Sequence, residues 1–210
     1  MPTVFVVDDD ARIRLGISLL LDAARLKSEC YAAAEDFLAA CGQQPAGCLL
    51  LDVSLPGMTG PQLQEELLRR HIDLPIIFLT GYADMPTVAG AMRQGAVDFL
   101  AKPVNGALLL ERVHSALETY RLHCEAGNKR RLFLARLHKL TPREREILAC
   151  AMSGKSNKEI SADLQVSFRT IEGHRARIYL KTGVRSLLEL VQQAALAGVS
   201  LSDPAATPLP

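Results

Sequence analysis

The chain has 210 residues, a formal net charge of +1, and 49 % hydrophobic and 22 % charged residues. This composition supplies enough apolar material for a buried core and excludes disordered, collagenous and coiled-coil chains. No apolar run approaches the roughly 18 residues of a membrane-spanning helix, and three aspartates at positions 8–10 are incompatible with a secretory signal. The five cysteines form no CxxC pair, so we expect reduced thiols in a cytoplasmic protein with no membrane partner.

The small net charge hides an asymmetry between the two ends of the chain. Residues 1–120 carry 9 Lys and Arg against 15 Asp and Glu, whereas residues 121–210 carry 15 against 8. An acidic half followed by a basic half predicts two domains with different partners. The basic half is the candidate for binding nucleic acid.

The acidic half alternates strands and helices. Apolar, β-rich runs predict strands at 3–7, 29–32, 48–51, 75–79 and 97–100. Helical spacing of apolar residues predicts helices at 13–24, 35–41, 61–70, 84–94 and 109–120. Five strand–helix units predict an α/β fold, a parallel doubly wound sheet with helices on both faces.

Chemically active side chains follow four of these strands. They are Asp8, Asp9 and Asp10 after the first strand, Asp52 after the third, Thr80 after the fourth and Lys102 after the fifth. Because ligands of open α/β sheets bind outside the carboxyl ends of the strands, we expect these groups to converge. Crowded carboxylates suit Mg²⁺, and a carboxylate beside Mg²⁺ and an ammonium can attack a phosphoryl group.

Ordinary structural roles compete with this interpretation. Asp8–Asp10 could cap a helix, and we expect Asp10 to be that N-cap. Asp52 could belong to a turn, and Lys102 could be a solvated loop residue. Their joint placement at strand ends favours the phosphoryl site.

The segments VFVVDDD, LLLDVSLPGMTG, IIFLTGYAD and VDFLAKP resemble the receiver domain of bacterial two-component response regulators. The resemblance covers residues 1–120 and implies a flavodoxin-like sheet of order 2-1-3-4-5. It implies that Asp52 is the phosphoacceptor, with Thr80 and Lys102 on the phosphoryl group and Phe99 as the switch aromatic. It also implies a cis Lys102-Pro103 bond and Mg²⁺ or Mn²⁺ held by Asp8, Asp9, Asp52 and the Ser54 carbonyl.

The basic half begins with residues 121–137, which we interpret as a linker, helical at both ends around Gly127-Asn128. The pattern of residues 138–198 predicts four short helices, which form an all-α helix-turn-helix domain. Thr141-Pro142 starts the first helix, and Asn157 opens the second, over 158–164. Ser167 caps the third, over 168–181, and Ser186 opens the last. Residues 199–210 predict a disordered tail.

The third of these helices has an inward and an outward face. Ile171, His174 and Ile178 are spaced to point inward. The outward and flanking residues, with nearby lysines, are the candidate DNA contacts: Lys155, Lys158, Arg169, Thr170, Glu172, Gly173, Arg175, Ala176, Arg177 and Lys181. A basic surface helix carrying only solvated charge is the alternative.

TPREREIL, GKSNKEIS, RTIEGHR and GVRSLLELV resemble the LuxR-type helix-turn-helix of the FixJ/NarL subfamily of response regulators. Some relatives carry lysines where Glu172 and Ala176 stand, so the resemblance does not predict which DNA bases this chain recognises. The resemblance implies a transcriptional regulator phosphorylated by a sensor histidine kinase, which dimerises when phosphorylated and binds double-stranded promoter DNA, with RNA polymerase as a further partner. It implies no enzyme activity beyond phosphorylation and dephosphorylation of Asp52.

Two rival functions remain open at this point. Asp8-x-Asp10 after a strand also fits a phosphatase of the haloacid dehalogenase type, although Arg12 stands where that family has Thr or Val. The second rival is a constitutive DNA-binding protein whose receiver does not switch.

Overall fold

The computed structural model describes residues 2–42, 45–81, 90 and 92–199. The chain divides into two compact units, Met1–Leu122 and His123–Pro210. The helix predicted over 84–94 lies largely outside the described residues, and so does the predicted tail apart from residue 199. No helix among the described residues is long and apolar enough to cross a membrane.

The first unit is built on a five-stranded parallel sheet of order β2-β1-β3-β4-β5. The elements in chain order are β1 Thr3–Val7, α1 Ala11–Ala23, β2 Ser28–Tyr31, α2 Ala34–Ala40, β3 Gly47–Asp52, α3 Gly60–Arg69, β4 Ile76–Thr80, β5 Asp98–Ala101 and α4 Gly106–His138. This topology confirms the predicted fold class of the acidic half.

The sheet is buried on both faces because its central strands are apolar except for polar residues at their ends. Alternate residues of β3 enter different core layers: Leu49 and Leu51 pack with α2 and α3. Leu50 packs with α1 and the first turns of α4. The strand order reverses between β1 and β3, and their carboxyl ends deliver Asp8 and Asp52 to that switch point, where open α/β sheets bind ligands.

Two helical glycines should respond oppositely to alanine. A Cβ at Gly60 would collide with the carbonyl of Asp52, whereas a Cβ at Gly16 in α1 meets no atom within 4 Å. We expect Gly60→Ala to lower the free energy of unfolding by about 1–3 kcal/mol. Gly16→Ala should raise it by about 0.5–1 kcal/mol. Urea titration followed by circular dichroism measures both, and equal effects would contradict this packing.

Helix α4 runs without interruption through Gly127 and Asn128. Residues 121–137 are therefore helical throughout and not only at both ends, because a glycine inside a helix costs only about 1 kcal/mol and leaves the hydrogen-bond ladder intact. Leu109 and Val113 of α4 pack in the first unit, and Phe133 packs in the core of the second.

The described residues of the second unit form four further helices: α5 Pro142–Met152, α6 Asn157–Asp163, α7 Phe168–Thr182 and α8 Leu187–Leu196. Side-chain oxygens of Thr141, Ser156, Ser167 and Ser186 cap their N-termini. Ser156, not Asn157, therefore starts α6. Ile147, Ile160, Ile171, Ile178 and Leu190 form the centre of the core, which confirms the predicted all-α helix-turn-helix.

Candidate functional site

An acidic pocket lies at the carboxyl ends of β1 and β3. One carboxylate oxygen from each of Asp8, Asp9 and Asp52 lies within 4.8 Å of the others. Asp8 and Asp52 are buried, and Asp9 is exposed. The sheet thus brings together the acidic residues that the sequence placed after two different strands.

Lys102 enters this pocket from the residue that follows β5. Its Nζ lies 2.7 Å from Oδ2 of Asp8 and 2.9 Å from Oδ2 of Asp52, so it is not a solvated loop lysine. Burial alone would lower the pKa of Lys102, but hydrogen bonds to Asp8 and Asp52 outweigh it and raise that pKa. The ammonium stays charged, and the Lys102-Pro103 bond is cis.

The residues of the pocket suit a divalent cation. Three carboxylates face one ammonium, which leaves the cluster with an excess of negative charge. Burial raises the pKa of Asp8, against the opposing hydrogen bond from Lys102. A hard cation with a preference for oxygen ligands would relieve this repulsion.

The loops behind the pocket are held by residues that sequence reasoning missed. Arg14 donates to the main-chain carbonyls of Asp8 and Asp9, and Glu35 accepts a hydrogen bond from the amide of Met58, beyond Asp52. Arg14 stands four residues after the N-cap Asp10, a spacing that could have pointed to it, because helical side chains lean toward the N-terminus. The Glu35 contact joins distant segments and leaves no local signal.

Asp10 has the structural role expected of it. Its side chain accepts a hydrogen bond from the amide of Arg12 and caps α1. Asp8 instead is fully buried and accepts from the amide of Asp10, 2.9 Å away. The capping interpretation therefore holds for Asp10 and fails for Asp8.

Three further predicted residues lie at the end of β4, shortly after β3 and within β5. Thr80 is buried at the end of β4, and its hydroxyl donates to the carbonyl of Gly81 at 2.9 Å. The amide of Ser54 donates to Oδ1 of Asp52 at 3.3 Å. Phe99 in β5 is 36 % exposed, so its ring is not locked in the core.

The second unit presents a polar face along α7. Ile171 and Ile178 are buried and His174 is half-buried, as the helical spacing predicts. Phe168 and Leu180 of this helix are exposed, and so are six residues proposed to face DNA: Arg169, Thr170, Glu172, Gly173, Ala176 and Arg177.

Several predicted DNA contacts already have partners in the fold. Arg175 donates to Asn157 Oδ1 at 2.6 Å and to the hydroxyl of Tyr179. Lys155 pairs with Asp163 and Lys181 with Glu144. Arg175 is therefore positioned by α6 and by its own helix. The two lysines form ion pairs within the second unit when no DNA is bound.

The Lys181–Glu144 pair should stabilise the second unit. Glu144 is 2 % exposed, and Lys181 Nζ lies 2.7 Å from its Oε2. Lys181→Met leaves a buried carboxylate without its cationic partner, and we expect a loss of about 1–3 kcal/mol in the free energy of unfolding. Lys155→Met, which breaks an exposed pair, should lose at most about 1 kcal/mol.

The same pair predicts a pH dependence. Burial works to raise the pKa of Glu144, but hydrogen bonds from Lys181 and Thr141 outweigh it, so the pKa is lowered. The stabilisation is present above the ordinary glutamate pKa and is lost as the pH falls through the lowered folded value. Acid titrations of both variants measure this, and an unchanged acid profile in Lys181→Met would contradict the role of the pair.

Comparison with known proteins assigns both units. Residues 4–114 match the family model "Response regulator receiver domain". Residues 138–194 match "Bacterial regulatory proteins, luxR family". The two matches leave outside them residues 115–137, which are most of α4, and the two ends of the chain.

Curated relatives match the chain along nearly its whole length. The transcriptional regulatory protein TdiR of Thauera aromatica is 39 % identical over 208 residues, covering 99 % of this chain and 92 % of that protein. FixJ of Azorhizobium caulinodans is 37 % identical over 202 residues, covering 96 % of each.

Solved structures agree with these sequence matches. The response regulator StyR superposes with a TM-score of 0.84 at 36 % identity, covering 92 % of this chain and 98 % of that one. Full-length FixJ from B. japonicum superposes with a TM-score of 0.60 at 35 % identity, covering 94 % and 97 %. These matches remove the phosphatase alternative, and the chain belongs to the FixJ-like two-component response regulators, transcription factors with a receiver and a LuxR-type helix-turn-helix domain.

Proposed function

We propose that phosphorylation of Asp52 by a sensor histidine kinase controls dimerisation and promoter binding by this regulator. The observation that carries the proposal is the setting of Asp52: a buried carboxylate at the end of β3, 2.9 Å from Lys102 and clustered with Asp8 and Asp9. In this proposal residues 1–120 are the receiver, 121–137 the linker and 138–198 the DNA-binding domain.

The pocket would hold Mg²⁺ or Mn²⁺ through Asp8, Asp9, Asp52 and the main-chain carbonyl of Ser54. Such an ion would supply positive charge to balance that of the phosphoryl oxygens. An oxygen of Asp52 attacks the phosphorus of a phosphohistidine, the new O–P bond forms, the P–N bond breaks, and the imidazole leaves with the bonding electrons. Lys102 stabilises the charge on the phosphoryl oxygens.

The phosphoryl group then changes the neighbouring surface. Thr80 exchanges its bond to the Gly81 carbonyl for one to a phosphoryl oxygen, and Phe99 turns toward the space that Thr80 leaves. The repacked face pairs with a second receiver. Two recognition helices then reach half-sites about one duplex turn apart.

Helix α7 lies in the major groove in this proposal. Arg169 makes no hydrogen bond or ion pair among the described residues, which leaves its guanidinium available for guanine. Glu172 accepts from cytosine, Gly173 and Ala176 allow close approach, and Thr170, Arg175, Arg177 and Lys158 contact phosphates or base edges. Lys155 and Lys181 contact phosphates once DNA replaces their acidic partners.

Peptide mapping tests the phosphoacceptor. The full-length protein is incubated with acetyl phosphate and MgCl₂, and tandem mass spectrometry locates the added phosphoryl group. We expect it on the peptide that contains Asp52, and only when a divalent cation is present. A protein that gains no phosphoryl group, or gains it elsewhere, would overturn the proposal and favour the constitutive DNA-binding alternative.

A further inference from the structure

We infer that Arg14 is a positioning residue for the acidic pocket. Its guanidinium fixes the main chain that carries Asp8 and Asp9, and so holds their carboxylates in the arrangement that binds a divalent cation. This inference rests on the proposed cation site and adds to it a residue that touches neither the cation nor the phosphoryl group.

The geometry shows one cation holding two consecutive carbonyls. Arg14 Nη1 lies 2.6 Å from the carbonyl oxygen of Asp8 and 2.9 Å from that of Asp9. Hydrogen bonds from a charged donor are stronger than those between neutral groups. Arg14 itself is half-buried in the second turn of α1, so a regular helix fixes the origin of the side chain.

The other hydrogen bonds between the end of β1 and the start of α1 do not involve the carbonyl of Asp9. Among the described residues, Arg14 is the group that holds this carbonyl. The amide of Asp8 donates to the carbonyl of Tyr31 in β2, and the amide of Asp10 donates to the Asp8 carboxylate. The carboxylate of Asp9 is exposed and no side-chain bond of Asp9 orients it among the described residues. Its direction therefore depends on the peptide groups that Arg14 holds.

The positive charge of Arg14 and its proposed positioning role affect metal binding in opposite directions, which makes the inference testable. A cation beside an acidic pocket repels a metal ion, so removing it should tighten metal binding if charge were its only effect. If Arg14 positions the ligands, removing it should weaken metal binding. The direction of the change separates the two effects.

Arg12 provides a matched control on the same helix. It pairs with the carboxylate of the capping Asp10, and its own side chain is 92 % exposed. Arg12→Ala removes the same charge as Arg14→Ala from the neighbourhood of the pocket, but it leaves the carbonyls of Asp8 and Asp9 bound. A positioning effect should appear at Arg14 and not at Arg12.

The experiment is a Mn²⁺ titration of the full-length protein, followed by the electron paramagnetic resonance signal of free Mn²⁺. We expect Arg14→Ala to weaken Mn²⁺ binding about tenfold or more, and Arg14→Lys to recover part of the affinity. Arg12→Ala should bind with wild-type affinity or more tightly. At saturating Mn²⁺, labelling of Arg14→Ala by acetyl phosphate should return to the wild-type rate, which a generally damaged fold would not do.

The outcomes distinguish the possible failures. A folded Arg14→Ala that binds Mn²⁺ as tightly as the wild type, or more tightly, overturns the inference and leaves the cation site in place. If Arg14→Ala does not fold, Arg14→Lys decides, because Lys keeps the charge: Mn²⁺ binding weaker than wild type supports the two-carbonyl hold, and binding as tight as wild type or tighter overturns it. A wild-type protein that binds no Mn²⁺ overturns the proposed site, and the inference with it.

Discussion

Replacing Asp52 with Asn should abolish phosphorylation of the protein by acetyl phosphate, a loss of more than 100-fold in the labelling rate. The amide oxygen is a poor nucleophile, and Asn removes one negative charge from the cluster with Asp8 and Asp9. Asn has nearly the volume of Asp, so the buried end of β3 should stay folded. Gel electrophoresis that retards phosphorylated protein, with circular dichroism as a folding check, measures both.

The neighbouring Asp10→Asn is the matched control for this prediction. Asp10 caps α1, and Asn is an equally good N-cap, so the helix should be unaffected. This variant should be labelled at the wild-type rate. Labelling of Asp52→Asn at full rate through another carboxylate would show that the phosphoacceptor has been misassigned.

The second large effect is expected at Gly173 on the exposed face of α7. A Cβ at this position meets no atom within 4 Å, so the fold accommodates a longer side chain. Gly173→Met should stabilise the helix by about 0.5–1 kcal/mol, because Met is a good helix former. The same side chain should hold α7 away from the groove floor and weaken specific DNA binding at least tenfold. Thermal unfolding and fluorescence anisotropy with DNA selected from a random pool measure the two effects.

Gly127 offers a control of the same chemistry. It is also a helical glycine, and a Cβ added there would meet no atom within 4 Å. It lies in α4, outside the proposed DNA contacts. Gly127→Met should gain similar helix stability and keep wild-type DNA affinity. Gly173→Met with undiminished affinity would place the DNA-binding surface elsewhere than on the exposed face of α7.

The sheet and its pocket were predictable because the information is local. Apolar runs predicted strands that end just before Asp8, Asp52 and Thr80, and parallel order brings such ends to one edge. Capping signals such as Thr141-Pro142 and Ser167 marked helix starts in the second unit. In the same way, the spacing of Ile171 and Ile178 separated the buried face of α7 from the exposed one.

Other features depend on contacts between distant segments, which periodicity does not encode. Lys181 joins Glu144 across 37 positions in sequence, and the sequence pattern showed only a basic residue near a helix end. Glu35 reaches Met58 in the same way.

We expect the state of Asp52 to be communicated to the DNA-binding domain. Fluorescence anisotropy with selected DNA measures this, comparing wild-type protein and Asp52→Asn with and without beryllofluoride in Mg²⁺. Because beryllofluoride mimics the phosphoryl group, it should raise the DNA affinity of the wild type about tenfold or more and leave Asp52→Asn unchanged; tenfold corresponds to about 1.4 kcal/mol. Equal DNA affinity of the wild type in both conditions would contradict it.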